Sequence, residues 1–130
     1  MTAKIAAVLL GVIFIAVGLL GYVSNPIIGD PAKGGNPMFH ADSVHNIVHI
    51  VSGVLFVLIA LAAPGASGGF LKLFGVVYLA IGIVGMIQIG SNEMIKLFGF
   101  LMVNKLDNYL HIGLGLIIFL AGFLRRPATA

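Results

Sequence analysis

The chain has 130 residues, of which 60% are hydrophobic and only 8% carry a formal charge. Soluble domains average about one quarter charged residues, so the composition indicates an integral membrane protein. The net charge of +3 comes from seven Lys or Arg against four Asp or Glu, and so few basic groups exclude a nucleic-acid-binding face. The sequence contains no cysteine, which excludes disulfides, thiolate metal sites and cysteine nucleophiles.

Four apolar segments separated by turn-forming residues predict four membrane-spanning helices. They cover residues 5–23, 47–63, 73–89 and 109–124. Each approaches the roughly 20 residues that cross a hydrocarbon core about 30 Å thick, and unbroken apolar runs without alternation favour helices over barrel strands. The predicted fold class is all-α: an integral membrane four-helix bundle forming a single transmembrane domain, residues 1–130.

The connection between the third and fourth segments contains a further apolar stretch. Residues 93–103, EMIKLFGFLMV, are interrupted by Lys96 and Gly99. A stretch of this length with internal polar breaks favours a short interfacial helix over a fifth span.

The distribution of charges predicts the topology. Four cations fall on one side of the four-span layout without any acidic residue among them: Lys4, Lys72, Arg125 and Arg126. The opposite side mixes Lys with Asp and Glu. The positive-inside bias therefore predicts that both termini are cytoplasmic.

An internal repeat organises the chain. GVIFIAVGLLG, residues 11–21, aligns with GVVYLAIGIVG, residues 75–85, and NIVHIVSG, residues 46–53, aligns with NYLHIGLG, residues 108–115, at offsets of 64 and 62. Each half is predicted to be a two-helix hairpin, residues 1–65 and 66–130. Two hairpins of the same orientation predict a pseudo-two-fold axis along the membrane normal.

Glycines mark the faces where helices are expected to pack closely, because helix association in a bilayer relies on small residues. The candidate close-packing residues are Gly11, Gly18, Gly21, Gly53, Gly75, Gly82, Gly85, Gly115 and Gly122. Gly53 and His49 share a face of the second helix, as do Gly115 and His111 on the fourth. We therefore expect the second and fourth helices to meet through these small-residue faces, and the two histidines to approach each other.

Polar residues open the second and fourth helices. The candidate cluster is His45, Asn46, His49, Asp107, Asn108 and His111. Polar side chains at membrane depth usually face the protein interior and pair with one another. The cluster is therefore predicted to lie between helices.

The repeated Asn-x-x-His-x-x-x-Gly signature in a four-helix chain resembles a family of small bacterial four-helix membrane proteins catalogued as a domain of unknown function. The resemblance covers most of the chain. It implies a multi-pass protein of the bacterial inner (plasma) membrane with no established activity, and it supplies no catalytic residue.

Three interpretations of the polar cluster stay open. Hydrogen bonds between the side chains can hold the helices in register. Alternatively, His45, His49, Asp107 and His111 can present three imidazoles and a carboxylate to a divalent metal. A third interpretation is a b-type haem between His49 and His111, with Gly53 and Gly115 leaving room for the ring.

The chain lacks the sequence features of an enzyme: no nucleophile elbow, P-loop or carboxylate pair lies within a span. We expect a non-enzymatic protein without catalytic residues or a required cofactor. It is expected to act as a structural or accessory subunit, with the lipid bilayer and other membrane subunits, or copies of itself, as partners.

Overall fold

Four helices form most of the molecule in a computed structural model that describes residues 1–126. They are α1 (Ala3–Leu20), α2 (Ser43–Ala62), α3 (Ser67–Ile89) and α4 (Lys105–Ala121). Three segments are long and apolar enough to cross a membrane: α1, α2 and the stretch Pro64–Ile89 that contains α3. With 17 residues, α4 lies at the lower limit of the range of about 17–25 residues seen for spans.

Side-chain caps explain why three helices begin where they do. The N–H of Ile5 donates to Thr2 Oγ1 (3.2 Å), and the N–H of His45 donates to Asp42 Oδ1 (3.0 Å). Asn104 and Asp107 form a reciprocal capping box at the start of α4. Because caps are polar, α2 and α4 each begin four residues before the apolar segments 47–63 and 109–124.

The connection between α3 and α4 is a β-hairpin, so the predicted interfacial helix is wrong. Strands β3 (Met94–Leu97) and β4 (Leu101–Asn104) pair antiparallel, with Leu97 opposite Leu101. Phe98 and Gly99 both have positive φ, 55° and 85°, as the tight turns of hairpins require. The apolar residues that indicated a helix instead pack against α2 and α3: Leu97, Leu101 and Val103 contact Val48, Ile81 and Val84.

The first connection carries the remaining regular structure. Two short strands, β1 (Ile28–Gly29) and β2 (Phe39–His40), pair in parallel, and a 3-10 turn at Pro31–Lys33 lies between them. The second of these strands also lies near β4 and the start of α4. This connection therefore covers the same end of the helices as the hairpin.

The helices pack most closely in two antiparallel pairs, α1 with α2 and α3 with α4. A Cβ added at Gly11 would lie 2.7 Å from the carbonyl O of Gly53, and one added at Gly115 would lie 2.8 Å from the carbonyl O of Gly75. The small faces of α2 and α4 thus pack against α1 and α3. The expectation that these faces meet each other is wrong, because each helix buries its glycines against its partner in the pair.

Residues from all four helices share one apolar core. Phe14 of α1, Phe56 of α2, Tyr78 of α3 and Ile118 of α4 are buried together. Phe14 packs edge-on against Phe56 and Tyr78, with ring centroids 5.4 and 5.3 Å apart. The two ends of the described chain also meet, since the N–H of Ala3 donates to the carbonyl O of Arg125 (3.1 Å).

Candidate metal centre

Three histidines converge between α2 and α4, near the hairpin. One ring nitrogen from each of His45, His49 and His111 lies within 4.8 Å of the other two. Their ring centroids are 5.1 Å (His45–His49), 5.4 Å (His45–His111) and 6.1 Å (His49–His111) apart. Since the residues are only 3, 6 and 2% exposed, the three imidazoles form an enclosed cluster, which we call the histidine trio.

Helix geometry places the trio. His45 and His49 are four residues apart on α2, so their side chains lie on one face, one turn apart. The caps at Asp42 and Asn104 set the starts of α2 and α4. His111 on α4 then lies at the level of His45 and His49 along the helices.

Two imidazole nitrogens of the trio have no hydrogen-bond partner in the described part of the chain. His45 Nδ1 lies 2.6 Å from the carbonyl O of Met102 in β4. A carbonyl only accepts, so Nδ1–H is the donor and His45 Nε2 keeps its lone pair. His49 Nδ1 and His111 Nδ1 are buried without a hydrogen-bond partner in the described part of the chain, which is uncommon for buried polar atoms.

Aromatic rings line the trio on the sides of α1 and α3. The Phe14 ring lies 5.3 Å from the His49 ring, and the Tyr78 ring lies 5.7 Å from that of His111 and 6.4 Å from that of His49. The Tyr78 hydroxyl donates to Ser52 Oγ (3.0 Å). This hydrogen bond links α3 to α2 next to the site.

Asp107, a candidate fourth ligand, serves as a cap instead. Its Oδ2 accepts the N–H groups of Asn104 (2.8 Å) and His40 (3.2 Å). The cluster of potential metal ligands found among residues 1–126 contains the three histidines without Asp107.

A comparison with protein families identifies the relatives of this chain. A family model described as a domain of unknown function, DUF4383, matches residues 4–124. The chain belongs to the DUF4383 family. The resemblance to a family of unknown function is thereby confirmed, and all members of the trio lie inside the matched range. Neither the curated proteins nor the solved structures yielded a match.

In this DUF4383 protein the two asparagines of the predicted cluster lie away from the trio. Asn46 places its side-chain amide against Gly21, the cap residue at the end of α1, and Asn108 places its amide against Gly85 of α3. Both are buried, and neither amide atom of Asn108 has a hydrogen-bond partner among residues 1–126. Each asparagine therefore lies at the contact within a helix pair and not between α2 and α4.

Sequence reasoning did not single out several residues around the site of this DUF4383 protein. Phe14, Ser52, Tyr78 and the Met102 carbonyl all contact or flank the trio. The internal repeat carries a signal for two of them, because Phe14 and Tyr78 occupy aligned positions at the offset of 64. An aromatic residue three positions after the first glycine of each aligned segment, 11–21 and 75–85, could have indicated a shared role.

Proposed function

We propose that this DUF4383 protein is a multi-pass integral membrane protein that binds a transition metal ion at the histidine trio. One observation carries the proposal: three buried imidazoles from two helices bring ring nitrogens within 4.8 Å of one another. Imidazole is a common ligand of zinc, copper, iron and nickel. Nitrogens that share one ion at about 2.0–2.1 Å lie at most about 4 Å apart, so the rings need to close by up to about 1 Å.

The unpartnered nitrogens favour a metal over a purely structural role for the trio. A buried polar atom without a partner costs about 1–3 kcal/mol, and His49 Nδ1 and His111 Nδ1 are both in this position. Histidines retained only to hold helices in register would be expected to pair with each other. A bound ion provides the interaction that offsets the burial of the rings.

The packing around the trio favours a single ion over haem. A porphyrin coordinated by His49 and His111 would need a wide slot beside both rings. The His45 ring lies 5.1 and 5.4 Å from these rings, and the Tyr78 ring lies 6.4 and 5.7 Å from them. A macrocycle placed beside both rings would compete with these two side chains for space.

The proposed architecture is a four-helix bundle in the bacterial inner membrane, made of two tandem hairpins, with α4 as the fourth span. Equivalent contacts within the two helix pairs support the repeat: Gly18 faces the Asn46 carbonyl and Gly82 faces the Asn108 carbonyl. The contact between Ala3 and Arg125 brings the ends together. The positive-inside bias then supports a cytoplasmic location for both termini.

A non-enzymatic accessory role in a larger membrane assembly is the second candidate function. The predicted close-packing glycines contact neighbouring helices of the same chain, so they leave no spare packing face of their own. Gly113 on α4 differs, because it is exposed and nothing lies within 4 Å of the position of an added Cβ. A partner helix can approach closely there, and Gly113→Leu would then abolish co-purification of the partner in mild detergent.

Metal analysis of the purified protein tests the metal proposal. We expect about one transition metal ion per chain after loading and desalting, and loss of that ion in His49→Ala and in His111→Ala. His40→Ala is the matched control, because His40 is the fourth histidine of the chain and lies outside the trio. Equal metal content in the His40 and His49 variants would overturn the proposal.

A further inference from the structure

The charge of the ligand set decides which kind of ion suits the histidine trio. The three ligands are histidines, and an imidazole binds a metal in its neutral form. Within residues 1–126, no carboxylate belongs to the group of atoms close enough to share an ion with them. The site therefore presents three nitrogen donors and no negative charge.

The nearest carboxylates are already engaged. Asp107 accepts the N–H groups of Asn104 and His40. Asp42 accepts the N–H of His45, and its other oxygen lies 3.8 Å from Lys96 Nζ. The charge of Asp42 is thus partly balanced before any ion arrives.

We infer that the trio selects a monovalent ion, Cu(I), over the divalent ions of the same series; this inference rests on the proposed metal-binding function. The cost of burying an ion grows with the square of its charge, so a dication costs about four times as much as a monovalent ion of equal size. A neutral ligand set inside apolar helices supplies no negative charge to offset the larger burial cost of a dication. It compensates a single positive charge far more easily.

The number of donors leads to the same ion. Zn²⁺ is usually tetrahedral and takes a fourth ligand, commonly water, whereas Cu(II) prefers tetragonal surroundings. The trio supplies three nitrogens, and the nearby Tyr78 hydroxyl is engaged with Ser52. Phe14 closes another side with an apolar ring. Cu(I) accepts low coordination numbers, so it needs no further donor in this enclosed space.

The test compares the affinities of the detergent-solubilised full chain for two ions. Cu(I) is titrated anaerobically in competition with the chromophoric chelator bicinchoninate, and Zn²⁺ is titrated in competition with a zinc indicator. We expect one Cu(I) per chain, bound at least about 100-fold more tightly than Zn²⁺ because of the charge difference. His49→Ala should weaken Cu(I) binding by more than about 100-fold, while His40→Ala should leave it unchanged.

A matched pair of variants tests the charge directly. His49→Glu introduces a carboxylate into the ligand set beyond the first turn of α2, where no free backbone N–H competes for it, and His49→Gln introduces a neutral side chain of the same size. The glutamate variant should shift the preference toward Zn²⁺ by at least about tenfold relative to the glutamine variant. An unchanged preference would overturn the charge argument.

The outcomes separate the two levels of the proposal. Tighter binding of Zn²⁺ than of Cu(I) in the wild type would overturn the copper inference and leave the metal-binding function in place. Histidine-independent binding, or no binding of either ion, would overturn both. Because the wild type alone provides this comparison, the test does not depend on whether any variant folds.

Discussion

The first turns of α2 and α4 are capped in the same way, but the third residues of the two helices, His45 and Asp107, contact different partners. Asp42 caps α2 by accepting the N–H of His45, and Asn104 caps α4 by accepting the N–H of Asp107. The short carboxylate of Asp107 turns back to the N–H of its own cap residue. The imidazole of His45 instead reaches the Met102 carbonyl and joins the trio.

This difference shows how one scaffold supplies two kinds of residue. At the same helical position, an acidic side chain caps the start of α4, and an imidazole of α2 joins the histidine trio. The two helix pairs are therefore alike in packing but unequal in chemistry: α2 provides two imidazoles and α4 provides one.

The largest change in the free energy of unfolding is expected when a side chain is introduced at the glycine contacts of the two helix pairs. A Cβ at Gly18 would lie 2.7 Å from the Asn46 carbonyl O, and one at Gly82 would lie 2.8 Å from the Asn108 carbonyl O. Backbone atoms cannot rotate away, so Gly18→Leu and Gly82→Leu should each lower the free energy of unfolding by about 3 kcal/mol or more. Titration of micellar protein with SDS, followed by circular dichroism, measures the loss.

Gly113→Leu is the control for these substitutions, because it introduces the same side chain where the structure is open. Its effect on the free energy of unfolding should stay within about 0.5 kcal/mol. If one of the two buried glycines tolerated leucine, the pairs would not be packed alike.

Asp107→Ala should separate stability from metal binding. The substitution leaves the N–H groups of Asn104 and His40 without their acceptor, which should lower the free energy of unfolding by about 2 kcal/mol. Bound metal should be unaffected. His45→Ala should lose the bound metal; it keeps the cap at Asp42, so its cost in stability should come from the lost hydrogen bond to the Met102 carbonyl and the lost packing of the ring.

Asp107→Asn is the matched variant for this test. It keeps an oxygen acceptor, so its loss of stability should be smaller than that of Asp107→Ala. A loss of bound metal in both variants would instead place Asp107 among the ligands.

Tyr78→Phe removes a hydroxyl that Phe14, the aligned residue of α1, does not have. The change breaks the hydrogen bond to Ser52 and should lower the free energy of unfolding by about 1 kcal/mol. Adding Ser52→Ala should restore part of this loss, because the serine hydroxyl then no longer needs a partner. A double-mutant cycle measures the coupling, and an additive result would argue against a stabilising bond.

The smallest effect is expected from the ion pair at the start of α2. Lys96 Nζ lies 3.8 Å from Asp42 Oδ2, and the lysine side chain is 55% exposed. Lys96→Gln should therefore change the free energy of unfolding by no more than about 0.5 kcal/mol, and added salt should reduce even this difference. A change larger than about 1 kcal/mol would show that the pair is shielded from solvent.

Much of the helical structure could be predicted from local patterns. Apolar runs indicated four helices, and residues 1–126 form four α-helices. The ends were less accurate because the polar caps Asp42 and Asn104 lie outside the apolar segments. The hairpin was missed because EMIKLFGFLMV is short and apolar, and such a run does not separate a strand from a buried helix. The positive φ of Phe98, an unusual residue for that conformation, left no recognisable signal.

The candidate site was predicted only in part, because local patterns do not show which tertiary partner a side chain contacts. The sequence predicted a cluster containing His45, His49 and His111, and the structure brings these three side chains together. Asp107 was predicted to belong to the same cluster but caps α4 instead. Asn46 and Asn108, also predicted, contact glycines within the helix pairs. The alignment of His45 with Asp107 indicated a shared position on the helix. It did not indicate which partner each side chain would reach.

The sequence alone determined the membrane-like composition, the presence of four helices, the capping residues and the spacing of His45 and His49. These properties depend on neighbours along the chain, through helix periodicity and local hydrogen bonds. Only the tertiary structure decided that glycine faces close within each pair, that the hairpin carbonyl of Met102 holds His45, and that His111 completes the trio. A helix defines which residues share a face, but the choice of the surface that covers this face depends on the packing of the whole chain.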